Sequence, residues 1–112
     1  MIVDDHASFR AILREFLPRE TTRIRECGDG AEAITAYEEE RPDFVLMDLS
    51  MPVMDGLQAT VEILHRDPTA CIVMVTHHND NITRNASTAT GARAFLSKSE
   101  LHQLPKLLRT MP

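Results

Sequence analysis

The chain has 112 residues, enough for one compact domain with a single core. With 43% apolar and 26% charged residues it is typical of a globular protein, and no apolar run approaches the roughly 20 residues that span a bilayer, so we expect no membrane contact. A formal net charge of −5, with no run of Lys and Arg interleaved with aromatic residues, argues against direct nucleic-acid binding.

The start of the chain and its two cysteines indicate a reducing compartment. Met1-Ile2-Val3 meets Asp4-Asp5 after three residues, which leaves no hydrophobic region for a signal peptide. Cys27 and Cys71 lack C-x-x-C spacing, so buried free thiols are expected rather than a disulfide or a metal site. We therefore expect a cytoplasmic protein.

Short apolar runs bounded by acidic or turn residues predict five strands. Two of them, FVLM and IVMV, are continuously apolar, which is typical of strands covered on both faces of a parallel sheet. The predicted strands are Met1 to Val3, Arg23 to Glu26, Phe44 to Met47, Ile72 to Val75 and Ala94 to Leu96.

Helical periodicity occupies the segments between the strands. The predicted helices are one that ends before Pro18, Gly30 to Glu40, Gly56 to His65, a weaker Asn79 to Thr90, and a short helix from Pro105 after a loop over Ser99 to Leu104. The apolar residues predicted to face inward are Phe9, Ile12, Leu13, Phe16 and Leu17 in the first helix, Ala33, Ile34 and Tyr37 in the second, Leu57, Val61 and Leu64 in the third, and Ile82, Ala86 and Ala89 in the fourth. The fourth helix is rich in Asn, Ser and Thr, so we expect it to be labile.

Polar residues stand at the carboxyl ends of four predicted strands. Asp4-Asp5 follows the first, Asp48 the third, Thr76 the fourth and Lys98 the fifth. Strands that alternate with helices predict an open, doubly wound parallel α/β sheet, in which ligands bind beyond the carboxyl ends of the strands. Each residue alone has an ordinary explanation as a helix cap, a turn hydroxyl or a solvated charge. Their convergence on one edge predicts a functional site.

The chemistry of that edge calls for a cation. Carboxylates about 4 Å apart repel by roughly 4 kcal/mol per pair at an effective dielectric near 20. Oxygen ligands with solvent access favour Mg²⁺ or Mn²⁺. With such an ion, Asp48 can attack phosphorus and form an aspartyl phosphate, while Lys98 pairs with one phosphoryl oxygen and the Thr76 hydroxyl bonds another.

Four motifs stand in order over nearly all of the chain. They are IVDDH with Phe9-Arg10 at 2–10, DLSMPVMDG at 48–56, IVMVT at 72–76 and GARAFLSK at 91–98. In sequence and spacing they resemble the response-regulator receiver (CheY-like) domains of bacterial two-component systems. The resemblance implies a flavodoxin-like, five-stranded parallel sheet of order 2-1-3-4-5 with helices on both faces, forming a single receiver domain over residues 1–112.

The resemblance also implies a metal site. Asp5 and Asp48 would be direct Mg²⁺ ligands together with the backbone carbonyl of Ser50, and Asp4 would act mainly through metal-bound water. Asp48 would be the phosphoacceptor as well. Asp55 is expected to be a turn residue or an N-cap.

The function implied by the resemblance is phosphorelay signalling. A sensor histidine kinase or phosphotransfer protein would supply a phosphoryl group to Asp48, Lys98 would pair with it, and slow self-dephosphorylation would remove it. Thr76 would move inward and vacate space that Phe95 fills, which makes these two the switch residues. The domain would catalyse only its own phosphorylation and dephosphorylation and so is not counted as an enzyme; a homodimer is a further partner that the resemblance allows.

The chain departs from the family pattern at several positions. Met1 begins three residues before the acidic pair and Ser99 stands where many receivers have proline, so truncation of the first strand and last helix stays open. His77 follows Thr76, and either narrows access to the phosphoryl group or is an exposed loop residue. Ser50 and His78 occupy positions that influence dephosphorylation in the family, in a direction that we do not assign.

Three alternative functions remain at this point. A pseudo-receiver is an interaction module that never takes phosphate, and a lack of Mg²⁺ binding would favour it. A phosphohydrolase with an aspartyl nucleophile is disfavoured because Ser50 stands where its second Asp is expected. A nucleotide-binding flavodoxin-like protein is disfavoured because no Gly-rich loop follows the first strand. The output, the cognate kinase and the signal stay open.

Overall fold

In a computed structural model that describes residues 1–21, 23–77 and 80–111, five parallel strands form one sheet. The strands are β1 (Ile2–Val3), β2 (Glu26–Cys27), β3 (Val45–Met47), β4 (Ile72–Thr76) and β5 (Ala94–Ser97). The helices are α1 (Ala7–Glu15), α2 (Gly30–Glu40), α3 (Gly56–Arg66), α4 (Asn81–Ala89), a 3-10 helix (Lys98–Gln103) and α5 (Leu104–Thr110). The sheet order is β2-β1-β3-β4-β5, which confirms the predicted fold class.

The sheet is covered on both faces, because successive strand residues enter two different apolar clusters. Val45 and Met47 pack with residues of α2 and α3, whereas Leu46, between them, packs with residues of α1 and α5. This alternation follows from the two-residue period of a strand and explains why β3 and β4 read as continuous apolar runs. Cys27 and Cys71 are buried and free, as predicted.

Aspartates begin three of the helices. Asp29 accepts the backbone N–H of Glu32 at 2.8 Å, and Asp55 accepts that of Gln58 at 2.9 Å, which confirms Asp55 as an N-cap. Asp80 caps α4 in the same way. These caps satisfy helix N–H groups that have no partner within the helix.

Several predicted inward faces are wrong. In α3 the buried residues are Gly56, Ala59, Thr60 and Ile63, while Val61 is 47% exposed. Small Ala and Thr side chains let the helix lie close to the sheet, so the larger Leu57 and Leu64 flank the contact and are half-buried. The faces of α1 and α4 are also wrong in part, since Ile12 is exposed and Ile82 is 83% exposed.

Some predicted boundaries are wrong as well. The second strand begins at Glu26 rather than Arg23, and the predicted loop over Ser99 to Leu104 is largely a 3-10 helix. A reciprocal cap explains this helix: the Ser97 N–H donates to Glu100 Oε1, and Ser97 Oγ accepts the N–H of Ser99, both at 3.3 Å. Asn79, where the fourth helix was predicted to begin, lies outside the described residues.

None of the helices in the described residues combines the length and the apolar content that crossing a membrane requires.

Candidate functional site

The carboxyl ends of the strands bring the predicted polar residues to one edge of the sheet. Asp4 follows β1, Asp48 follows β3, Thr76 ends β4 and Lys98 follows β5. A cavity of about 300 Å³ opens there, and its lining includes Asp48, Ser50, Thr76 and Lys98. A larger cavity of about 450 Å³ lies at the amino ends of the strands, away from these residues. The smaller cavity is therefore the predicted site of phosphoryl transfer.

The Lys98 ammonium joins the two buried carboxylates. Its Nζ lies 2.8 Å from Oδ2 of Asp4 and 3.5 Å from Oδ1 of Asp48. The lysine side chain is only 5% exposed, so both contacts are shielded from water. Lys98 is therefore placed to meet any anionic group that reaches Asp48.

The Asp48 carboxylate is buried close to a second negative charge. It is 6% exposed, its N–H donates to the Val3 carbonyl at 2.9 Å, and its Oδ1 accepts the Leu49 N–H at 3.0 Å. Burial, followed by the negative charge of Asp4, raises the pKa of the Asp48 carboxyl above its usual range, while Lys98 acts in the opposite direction. One ammonium thus compensates the buried negative charge only in part, which favours binding of a further cation.

The acidic pair lies beside a histidine at the rim of the site. Ligand atoms of Asp4, Asp5 and His6 lie within 4.8 Å of one another, with His6 Nδ1 3.2 Å from Oδ1 of Asp5. Asp4 is buried and its Oδ1 accepts the His6 N–H at 2.8 Å, whereas Asp5 and His6 are exposed. The carboxylate of Asp48 does not belong to this cluster of three ligand atoms. The oxygen-rich donors of Asp4, Asp5 and Asp48 fit a hard divalent cation such as Mg²⁺.

The loop after Asp48 is shaped by a close backbone approach at Gly56. The Gly56 N–H donates to the Leu49 carbonyl at 2.8 Å, and a Cβ at this position would collide with the carbonyl oxygen of Asp48. Met51 and Met54 pack against the core on the side of α2 and α3. Gly56 therefore lets α3 begin directly beside the predicted acceptor.

The predicted switch residues lie on neighbouring strands. Thr76 is buried at the end of β4, and Phe95 on β5 is half-buried against the core. The guanidinium of Arg84 on α4 lies 4.6 Å from the centroid of the Phe95 ring, a cation–π distance. This contact links α4 to the predicted switch aromatic and was not predicted from the sequence.

Sequence reasoning also missed Phe9 as a site residue. Its ring lines the cavity, with Lys98 Nζ 4.0 Å from the ring centroid and the exposed His77 ring 6.2 Å away. From the sequence, Phe9 is predicted to belong to the apolar stripe of the first helix and, with Arg10, to the first of the four motifs, without a role in the site. Its position one turn after the Asp4-Asp5 pair was the available signal. His78 lies outside the described residues.

Comparison with known proteins identifies the class to which this fold and site belong. The sequence model of the response regulator receiver domain matches residues 1–109, so the chain belongs to this family of two-component response regulators. The chemotaxis protein CheY of Halobacterium salinarum is 37% identical over 98 residues, which cover 88% of this chain and 82% of that protein. Two relatives that are transcriptional regulators are longer, and the chain spans 51% and 42% of their lengths.

Solved structures give the same class. A LuxR-family two-component response regulator from Aurantimonas sp. SI85-9A1 has a TM-score of 0.86 and 32% identity, covering 97% of this chain and 83% of that chain. The CheX-CheY-BeF3-Mg²⁺ complex from Borrelia burgdorferi contains a chain with a TM-score of 0.79 and 28% identity, covering 86% of this chain and 74% of that chain. The predicted family is therefore confirmed.

Proposed function

We propose that this receiver domain is a phosphoacceptor switch in which Asp48 takes a phosphoryl group and carries it as an aspartyl phosphate. The observation that carries the proposal is the buried Asp48 carboxylate with the Lys98 ammonium 3.5 Å away, at the carboxyl edge of the sheet. A buried carboxylate with a raised pKa and a fixed cation beside it is an arrangement that active sites use. The donor is the phosphohistidine of a sensor histidine kinase or a phosphotransfer protein.

Residues of the site are suited to hold Mg²⁺ or Mn²⁺. Asp5, Asp48 and the backbone carbonyl of Ser50 are the proposed direct ligands, and Asp4 the ligand that acts through water. When bound, the ion screens the negative charges of the carboxylates and of the phosphoryl group. The dependence on a divalent ion follows from the excess of carboxylates over the single Lys98 ammonium in this site.

The transfer step uses groups of this chain as follows. A carboxylate oxygen of Asp48 attacks phosphorus, the P–N bond of the phosphohistidine breaks, and the imidazole leaves with that electron pair. The Lys98 ammonium and the Thr76 hydroxyl stabilise phosphoryl oxygens. Water later attacks the acyl phosphate and restores the carboxylate with release of phosphate. The domain thus catalyses only its own modification.

Phosphorylation would bias two conformations of the switch face. It adds about −1.5 to −2 charges and three acceptor oxygens beside Thr76 and Lys98. If Thr76 moves toward them, Phe95 can fill the vacated space, and its contact with Arg84 on α4 must change. A shift from 1:99 to 99:1 requires about 5.5 kcal/mol of preference for the active state, which a few charge-assisted contacts can supply.

The similar proteins support the proposed ligands and partners. The chain from Borrelia burgdorferi was crystallised in a complex named CheX-CheY-BeF3-Mg²⁺, so a receiver of 28% identity occurs with a divalent ion and a partner protein. We extend this to the present chain as a proposal: a divalent ion at the acidic edge, a phosphodonor protein as partner, and the cytoplasmic location expected from the sequence. A homodimer stays a prediction of the family resemblance.

The proposal is tested by intact-mass measurement after incubation with Mg²⁺ and acetyl phosphate. We expect one added phosphate on the wild-type protein, labile to hydroxylamine, and none on Asp48→Asn or when the divalent ion is chelated. An unmodified wild-type protein that nonetheless binds Mg²⁺ would contradict the proposal and favour the pseudo-receiver. An adduct that persists on Asp48→Asn would place the acceptor elsewhere.

A further inference from the structure

The contact between Phe9 and Lys98 is a feature of the site that the proposed reaction does not yet use. Lys98 Nζ lies 4.0 Å from the centroid of the Phe9 ring, within the range of a cation–π interaction. The lysine side chain is 5% exposed, and its polar contacts include Asp4 and Asp48. Cation–π attraction is strongest for such a desolvated ammonium, so the ring is an energetically relevant partner.

The ring does something that a third carboxylate could not do. It stabilises the cation without adding negative charge to a site that already holds Asp4 and Asp48. Its face also attracts the ammonium without accepting an N–H in one fixed direction, so N–H donors stay available for Asp4 and for a phosphoryl oxygen. Phe9 is therefore suited to hold Lys98 near the acceptor before the phosphoryl group arrives.

Phe9 is itself fixed by the surrounding structure. It lies in the first turn of α1, where its N–H donates to the His6 carbonyl at 3.0 Å, and it packs against the apolar cluster that includes Leu13. The guanidinium of the next residue, Arg10, donates to the Asp4 carbonyl at 2.7 Å and ties this turn to the loop after β1. Because the Phe9 backbone and the Arg10 side chain both hold this turn in place, the Phe9 ring has little freedom to move.

We propose that Phe9 is a positioning residue, whose ring holds the Lys98 ammonium beside Asp48 so that it meets incoming phosphoryl oxygens already oriented. This inference rests on the proposed phosphoacceptor function. It predicts that loss of the aromatic face weakens the recognition of a phosphoryl group, while divalent-ion binding through the carboxylates is retained.

Three variants separate positioning from packing. Phe9→Leu keeps an apolar side chain and removes the aromatic face, whereas Phe9→Tyr keeps the face. Phe16→Leu is the matched control, because Phe16 follows the same helix and is half-buried against the same apolar cluster. A purely structural role of Phe9 predicts similar behaviour for Phe9→Leu and Phe16→Leu.

The first readout is the NMR shift of the Lys98 ε-methylene protons in the metal-free protein, which senses the ring current of Phe9. The second is the affinity of the Mg²⁺-saturated protein for beryllofluoride, a phosphoryl analogue. We expect Phe9→Leu to move the Lys98 signal toward its position in a free lysine and to weaken beryllofluoride binding about 3- to 10-fold, with an unchanged Mg²⁺ affinity. Phe9→Tyr should restore both, and Phe16→Leu should affect neither.

A Phe9→Leu protein that matches the wild type in the Lys98 signal and in beryllofluoride affinity would overturn the inference. So would equal losses in Phe9→Leu and Phe16→Leu, because they would assign the effect to packing. If the wild-type protein binds Mg²⁺ but neither beryllofluoride nor phosphate, the proposed function fails and the positioning role fails with it. In that case a changed Lys98 signal in Phe9→Leu would show that the contact between Phe9 and Lys98 exists, although this domain recognises no phosphoryl group.

Discussion

The Lys98 ammonium lies 2.8 Å from Oδ2 of Asp4, although the two residues are 94 positions apart in the chain. The pair connects the loop after the first strand to the end of the last strand, and both side chains are almost fully buried. In the part of the chain that the structure describes, Lys98 is also the only cationic side chain within ion-pair distance of Asp48. We therefore expect the stability of the fold and the proposed phosphoryl chemistry to depend on the same side chain.

The first prediction concerns removal of that cation. Lys98→Met should lower the free energy of unfolding by about 1–3 kcal/mol in metal-free buffer, because Asp4 is left buried without its ionic partner. Saturating Mg²⁺ should restore part of the loss by supplying another cation. Urea unfolding with and without Mg²⁺ measures both effects. Lys106→Met, at an exposed lysine of α5, is the control, and an equal loss in the two variants would contradict the assignment.

A second prediction follows from the raised pKa of Asp48. A carboxyl that binds its proton more tightly in the folded state lowers the free energy of unfolding as the pH rises from its ordinary pKa through the raised one. Asp48→Asn removes this loss, so the variant should be more stable than the wild type at pH 7 without metal. In a domain of 112 residues each kcal/mol gained raises Tm by about 4 °C.

The pH dependence distinguishes this cause from a simple packing effect. The advantage of Asp48→Asn should shrink as the pH falls toward about 3.9, the ordinary carboxyl value, because the wild-type carboxyl is then neutral as well. Thermal unfolding at a series of pH values gives the comparison. A difference that stays constant across the series would mean that the Asp48 charge is not its origin.

A third prediction tests the close approach at Gly56. Gly56→Ala places a methyl group against the carbonyl of Asp48, so we expect a loss of about 1–3 kcal/mol or more, and a displaced acceptor loop. Gly28→Ala is the matched control, since the nearest atom to its added Cβ is Glu32 Oε2 at 3.8 Å. Equal stabilities of the two variants in urea unfolding would refute the steric account.

The fourth prediction concerns a polar contact remote from the site. The Tyr37 hydroxyl on α2 donates a hydrogen bond of 2.7 Å to Oδ2 of Asp67, the C-cap residue that follows α3. Burial and this contact raise the pKa of the tyrosine hydroxyl, so it donates at any ordinary pH. Tyr37→Phe should cost about 1.5–3 kcal/mol, the range of hydrogen bonds to charged groups. Thr35→Ala, at an exposed position of α2, should be near neutral; a neutral Tyr37→Phe would show that the contact contributes nothing net.

The positions of the site residues at the strand ends could be predicted from the sequence, because the topology of a parallel sheet determines them. Carboxyl ends of parallel strands meet at one edge, so the order of Asp48, Thr76 and Lys98 after apolar runs was enough to predict their convergence. The bounds of α2 were predictable for a similar local reason, since an N-capping aspartate precedes Gly30 and Arg41-Pro42 follows Glu40.

Features that depend on how elements dock were not predictable in the same way. The apolar residues of α3 allow two overlapping faces, and only contact with the sheet selects Ala59 and Ile63 over Leu57 and Val61. The 3-10 helix after β5 has a local signal in the reciprocal cap of Ser97 and Glu100, whereas Pro105 predicts only the start of the helix that follows it. The position of Phe9 four residues after Asp5 indicates that it lies near the site, but its contact with Lys98 depends on how α1 leaves the loop after β1.

The most direct test of the central claim is to locate the acceptor on the phosphorylated protein. Borohydride reduces an acyl phosphate to an alcohol and so converts the modified aspartate to homoserine, which peptide mass mapping identifies by position. After incubation with Mg²⁺ and acetyl phosphate, we predict homoserine at residue 48, with Asp4, Asp5 and Asp55 unchanged. Homoserine at another aspartate, with residue 48 intact, would contradict the account.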